Sequence, residues 1–281
     1  MKKAAQLIIV FTAIVMVHTT FAQTSYPFTV QTTGKGSGSL LFIPGFTCPA
    51  SVWDETVALF NKDYTCYTLT MAGFAGTPAQ TEPAFKKWEA GIAQFIKDKK
   101  ITPIIIGHSM GGGLALALAA DYPDLVQKIV VVDALPYLAA VQNPAAKPLP
   151  DSVCAAIIRQ ISVLPDEQFQ QMQVRSVKSL VADSSRYNTL LQWSMSTDRN
   201  TFACMFTDFI NTDLRPALSR ITCPALILLE APFKNRQAAI ADQYSNLKNA
   251  TIVYAEKGLH FIMYDDFNWY QQQLTTFIPV K

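Results

Sequence analysis

The chain has 281 residues, half of them hydrophobic and 11% aromatic, with 23 Lys and Arg against 21 Asp and Glu. That length holds one large domain or two small ones with a substantial buried core. The charge is near balance and no block of one sign occurs, which argues against nucleic acid and anionic surfaces as partners.

The first residues read as a secretory leader. Lys2 and Lys3 form a basic start, Ala4 to Val17 is apolar apart from Gln6 and Thr12, and Thr20-Phe21-Ala22 offers small residues at a cleavage position. Cleavage is expected after Ala22, which predicts a periplasmic or secreted protein. The apolar stretch is short for a membrane span, so no stable membrane insertion is expected once it is removed. Loss of Lys2 and Lys3 from the 23 basic residues leaves the rest in balance with the 21 acidic ones.

Strands are predicted at Ser39–Ile43, ending at Pro44-Gly45, and at Thr65–Thr70, ending in the turn-rich Ala72–Gly76. A helix follows over Pro83–Asp98, then a β-branched strand over Ile101–Ile106 and an Ala/Leu-rich helix over Ser109–Ala120. Further strands are expected at Lys128–Val132, Ala225–Leu229 and Ala250–Tyr254. Strands that alternate with helices need crossover connections, hence an α/β fold with a mostly parallel sheet and helices on both faces.

Residues 139–218 break the alternation. Helix starts are predicted at Asp151, Pro165-Asp166-Glu167, Asp183-Ser184-Ser185 and Thr197-Asp198, and no strand pattern lies between them. The reading is a helical cap laid over the carboxyl ends of the strands, with the core formed by 23–138 and 219–281 and the leader by 1–22. Cys48, Cys66, Cys154, Cys204 and Cys223 show no metal-ligand spacing, and no metal is expected. Export permits disulfides, and Cys154 and Cys204 fall in the same helical region where they could pair; burial of all five as free thiols stands beside that reading.

Gly107-His108-Ser109-Met110-Gly111 joins a buried strand to a helix. This G-x-S-x-G is the pattern of a nucleophile elbow, a turn sharp enough to expose the serine hydroxyl beside a helix N-terminus. A serine hydroxyl needs a base to take its proton. Of the three histidines, His18 leaves with the leader, and the side chain of His108 is expected to point away from its neighbour on the turn. His260, in Gly258-Leu259-His260-Phe261 beyond the last predicted strand, remains as the base.

These motifs, with Pro44-Gly45-Phe46 and Trp53, resemble the α/β-hydrolase superfamily, over about Leu40 to Phe277. The resemblance implies a core sheet of about eight strands, a cap over the active site, and a catalytic histidine on the loop that carries His260. It also implies an acid shortly after the strand at Ala225–Leu229, usually aspartate, but the sequence there reads Leu229-Glu230-Ala231-Pro232. Asp133, at the end of the preceding strand, is the favoured substitute and Glu230 the alternative. Backbone N–H groups of Phe46 and Met110 are the expected oxyanion donors. Asp265 and Asp266 read as a solvated turn and a helix start.

Trp53, Phe74, Met110, Tyr137, Trp193, Met195, Phe202 and Met205 are candidates to line an apolar pocket, with Trp53, Tyr137 and Trp193 assigned to substrate contact. The predicted activity is that of an exported serine hydrolase, a carboxylesterase acting through an acyl-enzyme on a small ester. Ser109 speaks against the fold's epoxide hydrolases and haloalkane dehalogenases, whose nucleophile is aspartate. An aminopeptidase-like hydrolase of short peptides is the alternative, and needs a cap carboxylate such as Asp166, Glu167, Asp183 or Asp198. A non-catalytic ligand-binding relative is the third reading. A Ser/His/acid site needs no cofactor.

Overall fold

The structure, a computed structural model, describes residues 26–279. The leader expected at residues 1–22 lies outside them. Among the described residues, seven strands make one sheet: β1 (Phe28–Thr33), β2 (Gly38–Ile43), β3 (Tyr64–Met71), β4 (Ile104–His108), β5 (Lys128–Val132), β6 (Ala225–Leu229) and β7 (Ala250–Tyr254). The helices in chain order are α1 (Asp54–Phe60), α2 (Phe85–Lys99), α3 (Met110–Asp121), α4 (Asp151–Ser162), α5 (Asp166–Leu180), α6 (Tyr187–Met195), α7 (Arg199–Asn211), α8 (Gln237–Gln243), α9 (Ile262–Asp265) and α10 (Phe267–Phe277).

The sheet runs β1-β3-β2-β4-β5-β6-β7, parallel except where β1 pairs antiparallel with β3. This is one strand fewer than the resemblance implied. Its inner strands are apolar on both sides, as a sheet covered on both faces requires. Leu40, Phe42, Ile106, Val130 and Leu228 face α1 and α10, where Val57, Phe60, Tyr270 and Leu274 meet them. Leu41, Ile43, Ile105, Val131 and Ile227 face α2 and α3, against Trp88, Ile92, Leu114 and Leu118.

Two sequence expectations are corrected. The strand predicted from Ile101 begins at Ile104, because Pro103 has no N–H to give to the ladder, and it runs on to His108. β1 was not expected: Phe-Thr-Val-Gln-Thr-Thr is an edge strand with polar, mostly exposed positions, and lacks the apolar run that marks the others.

Strand order reverses between β2 and β4, which are adjacent although β3 separates them in the chain. Such a switch point leaves a crevice beyond the carboxyl ends of the strands. The turn out of β4 into α3 is unusually close-packed. A Cβ on Gly107 would collide with the Gly111 carbonyl, and a Cβ on Gly111 with the Ile43 carbonyl at the end of β2. The pair of glycines thus lets β4 reverse into a helix directly beside β2.

Between β5 and β6 the described chain contains helices α4 to α7 and no strand. α4 packs on α7 and α5 on α6, around a small core of Ile161, Phe169, Phe202 and Ala203. Asp198 caps α7 by accepting the Thr201 N–H at 2.7 Å. The pairing considered for Cys154 and Cys204 does not form: all five cysteines are free. The Cys154 thiol sits 3.3 Å from Asn211 Nδ2, and Cys204 faces Asn200 on its own helix.

Replacing Gly111 by Ala should destabilise the protein by roughly 1–3 kcal/mol or more, because its neighbour is backbone and cannot rotate away. Urea unfolding of Gly111→Ala beside wild type measures this; equal midpoints would contradict the close-packed turn.

Candidate active site

Ser109 occupies the apex of the β4–α3 turn with φ 54° and ψ −121°, a left-handed conformation that costs a non-glycine residue about 1–3 kcal/mol. Its N–H donates to the Val132 carbonyl at 2.8 Å, and its carbonyl accepts the Gly113 N–H at 3.0 Å, so strand and helix hold it from both sides. The hydroxyl makes no hydrogen bond among the described residues. Beside it, the Gly45–Cys48 turn after β2 is closed by a 3.1 Å bond from Cys48 N–H to the Gly45 carbonyl, with Thr47 at φ 63°. Neither the Phe46 nor the Met110 N–H donates to any described residue, which leaves both free for a ligand oxygen.

His260 lies on the loop between β7 and α9, and its Nδ1 is 2.6 Å from Asp133 Oδ2. A carboxylate only accepts, so Nδ1 carries the proton and Nε2 keeps its lone pair. Asp133 leaves β5 at φ 48°, and its N–H donates to the Leu228 carbonyl at 2.7 Å. Its Oδ1 accepts the Glu230 N–H at 2.7 Å. Of the two carboxylates weighed from sequence, Asp133 therefore meets the imidazole, and Glu230 contributes its backbone N–H to hold that aspartate. No hydrogen bond joins Ser109 to His260 among the described residues; in unliganded sites such bonds tighten when substrate arrives.

His108 has a place that the sequence reading missed. Its side chain does not simply turn away: Nε2 donates to the His260 carbonyl at 3.0 Å, and the two rings lie 4.6 Å apart. Burial, and then the neighbouring His260 charge, hold its pKa well below the usual imidazole range. A neutral ring donating from Nε2 leaves Nδ1 as an acceptor, which has no partner among the described residues and lies against Gly45.

Asp265 is likewise no solvated turn. It accepts N–H groups from Leu259 at 2.8 Å, Ala182 at 3.0 Å and Asp183 at 2.9 Å. One carboxylate thus ties the histidine loop to the segment between α5 and α6. Asp266 is buried at the start of α10. The sequence carried no signal for these bonds, which depend on where two loops meet.

A cavity of about 520 Å³ opens over these groups, lined by Ser109, His260, Asp133, Glu230 and Phe46 below and by α4 to α7 above. Apolar side chains dominate it, among them Leu135, Ile161, Met172, Phe202, Phe206 and Phe233. Among the described residues no lysine or arginine lines it. The residues assigned to substrate contact fall elsewhere. Trp53 is wholly buried beneath His108, Tyr137 is buried with the Arg215 guanidinium 5.0 Å from its ring, and Trp193 lines a separate cleft with Arg186 and Tyr264. Phe74, Met110, Met195 and Met205 also lie outside the cavity wall, while Phe202 is part of it. Helical spacing marks such residues as inward-facing but does not say whether core or cavity lies there.

None of the four candidate cap carboxylates lines the cavity. Asp166 pairs with Arg199 on the surface, Asp183 caps the turn at Ser185, Asp198 caps α7, and Glu167 is exposed. Asp133 and Glu230 supply the only carboxylates in the wall among the described residues.

A model of the alpha/beta hydrolase fold matches residues 38–199. The chain belongs to that family. Its curated relatives include a pimeloyl-[acyl-carrier protein] methyl ester esterase of Aliivibrio salmonicida, 24% identical over 69% of this chain and 73% of that one. A protein of the same name from Proteus mirabilis is 24% identical over 75% of this chain and 82% of its own. Among solved structures, an esterase of Exiguobacterium antarcticum superposes with a TM-score of 0.74 at 16% identity, covering 90% of this chain and 96% of the other. An enol-lactonase of Burkholderia xenovorans LB400 gives 0.74 at 14% identity with the same coverage. At those identities the structural likeness concerns the fold.

Burial, and then the Asp133 charge, push the Glu230 carboxyl from 4.5 up to about 7. Its folded-state value is raised, so the folded protein holds this proton more tightly than the unfolded chain, and stability falls as pH rises from about 4.5 to about 7. Glu230→Gln should match wild type near pH 4.5 and exceed it near pH 8, by about 1 kcal/mol after allowance for solvent screening, or about 2–4 °C. Melting curves of both proteins across that range check the sign; a Glu230→Gln advantage confined to low pH would refute it.

Proposed function

We propose that this protein is an exported serine hydrolase, a carboxylesterase for small uncharged esters. The observation that carries the proposal is the Asp133–His260 pair, joined at 2.6 Å, facing one apolar cavity together with Ser109. Ser109 Oγ attacks the ester carbonyl while His260 Nε2 takes its proton, and Asp133 stabilises the imidazolium through Nδ1. The tetrahedral oxyanion accepts from the Phe46 and Met110 N–H groups, each such donor worth about 10²–10³ in rate. His260 then protonates the departing alkoxide, which leaves as the alcohol. Water, deprotonated by the same nitrogen, releases the acid from Ser109.

The esterase names among the relatives support ester hydrolysis, and the apolar wall without a cation supports an uncharged substrate. An aminopeptidase-like activity draws less support, because Asp166, Asp183 and Asp198 are engaged elsewhere and Glu167 is exposed outside the cavity wall. A purely binding role would leave the strained serine and the two unused N–H groups without a purpose.

A fluorophosphonate probe should label wild type and not Ser109→Ala; an unlabelled native wild type would refute the assignment. Asp133→Asn should lower kcat on a nitrophenyl ester about 10³–10⁴-fold by disfavouring the productive tautomer. Glu230→Gln should lose far less, and the reverse order would transfer the acid to Glu230.

Export rests on the leader at residues 1–22. The protein recovered from the periplasm or medium of an expressing bacterium should begin at Gln23 on N-terminal sequencing. Recovery of an uncleaved cytoplasmic chain would contradict export.

A further inference from the structure

The roof of the cavity holds a polar group that the reaction does not use. On α5, Phe169, Gln173 and Val177 form the buried stripe, and Gln173 occupies a position where the helical period calls for an apolar residue. It is 4% exposed and lines the cavity. Ser194, on the buried face of α6 and 3% exposed, donates its hydroxyl to Gln173 Oε1 at 2.6 Å. That bond fixes which way the amide faces. Its oxygen is taken up by the serine, and its nitrogen, with two N–H donors, has no hydrogen-bond partner among the described residues.

A tie between α5 and α6 would account for the oxygen alone. It leaves a primary amide on the wall of a chamber lined mainly by leucine, isoleucine, methionine and phenylalanine side chains, with Ser176 and Ser179 also from α5. Gln173 Nε2 is not among the fully buried unpaired atoms, so it meets the open cavity, where an entering acceptor can take its N–H groups. The charge of the chamber narrows what the donor can receive. With Asp133 and Glu230 in its wall and no lysine or arginine there, an anionic group would enter without a counter-charge.

We propose that Gln173, oriented by Ser194, is a specificity-determining residue that reads an uncharged hydrogen-bond acceptor, a carbonyl, on the substrate chain away from the ester that Ser109 attacks. This deepens the esterase reading and rests on it for the placement of the ester. The preferred substrate class is then an apolar-chain ester carrying a second, neutral carbonyl, in preference to a plain alkyl ester or the half-ester of a dicarboxylic acid. Discrimination follows from the bond itself: a plain alkyl chain strands the Gln173 amide in a desolvated pocket, which disfavours such a ligand.

The test is equilibrium binding to the full-length Ser109→Ala protein by calorimetry, so that nothing is turned over. The probes are a homologous series of methyl esters ending in a methyl ketone. Each is matched with a branched ester in which methyl replaces the ketone oxygen, and with a dicarboxylic half-ester. At one chain length the ketone should bind about tenfold tighter than its branched isostere, and the half-ester more weakly than the ketone. Adding Gln173→Leu should bring the ketone-to-isostere ratio to about one; reading a ratio cancels any general loss of affinity. Ser194→Ala, which frees the amide to rotate, should reduce the ratio without abolishing it.

A ratio near one at every chain length in Ser109→Ala overturns the inference. So does a ratio unchanged by Gln173→Leu. Should Gln173→Leu fail to fold, the series on Ser109→Ala still decides. Hydrolysis of the same esters by wild type is read separately. A binding preference without turnover preserves the Gln173 assignment and removes the hydrolase reading, whereas turnover without a preference does the opposite.

Discussion

Contact between the backbones of β2 and the β4–α3 turn is the constraint on which the site depends. Gly111 comes so near the Ile43 carbonyl that no side chain fits between them. This closeness sets the Gly45–Cys48 turn, which leaves β2, beside the serine that leaves β4. Two N–H groups from separate elements, Phe46 and Met110, are thereby left without partners among the described residues, near one hydroxyl. The sheet's order reversal supplies the crevice, and the absence of two Cβ atoms supplies the separation.

The remaining groups reach this point from a distance along the sheet. β7 is the edge strand, three places from β4, yet the loop after it carries His260 back over the strand ends. Bonds from each neighbour hold it there: Asp133 takes Nδ1, His108 grips the carbonyl, and Asp265 holds the Leu259 N–H. Asp133 is itself fixed by the ends of β6 through Leu228 and Glu230. The imidazole and its loop are thus located by the side chains of His108 on β4 and Asp133 after β5, with Asp133 braced in turn by the backbone at the end of β6, and the tautomer follows from that placement.

Much of the core was legible because buried parallel strands are continuous apolar runs. Those predicted at Lys128–Val132, Ala225–Leu229 and Ala250–Tyr254 have these bounds in the structure. β1 escaped because an edge strand need not be apolar. Of the site, Ser109 could be picked out because a five-residue turn has a local signature, and His260 because few histidines compete with it. Asp133 is preferred to Glu230 on its place after the strand alone; the positive φ at Asp133, and which oxygen or N–H reaches inward, leave no trace in the sequence. Trp53, Tyr137 and Trp193 were misplaced for a related reason: periodicity separates inside from outside, but a filled interior and an empty one look alike to it. Gln173 breaks the apolar stripe of α5 between Phe169 and Val177, a trace of the cavity's polar roof.

The Asp265 carboxylate binds N–H groups from two places at once, the histidine loop at Leu259 and the cap segment at Ala182 and Asp183. Lifting this edge of the cap from the core therefore takes away support from the loop that carries His260. Heat or mild denaturant acting on that seam would silence the enzyme while its sheet is still intact. Inactivation would then report the adhesion of two layers, and melting of the sheet would report something else.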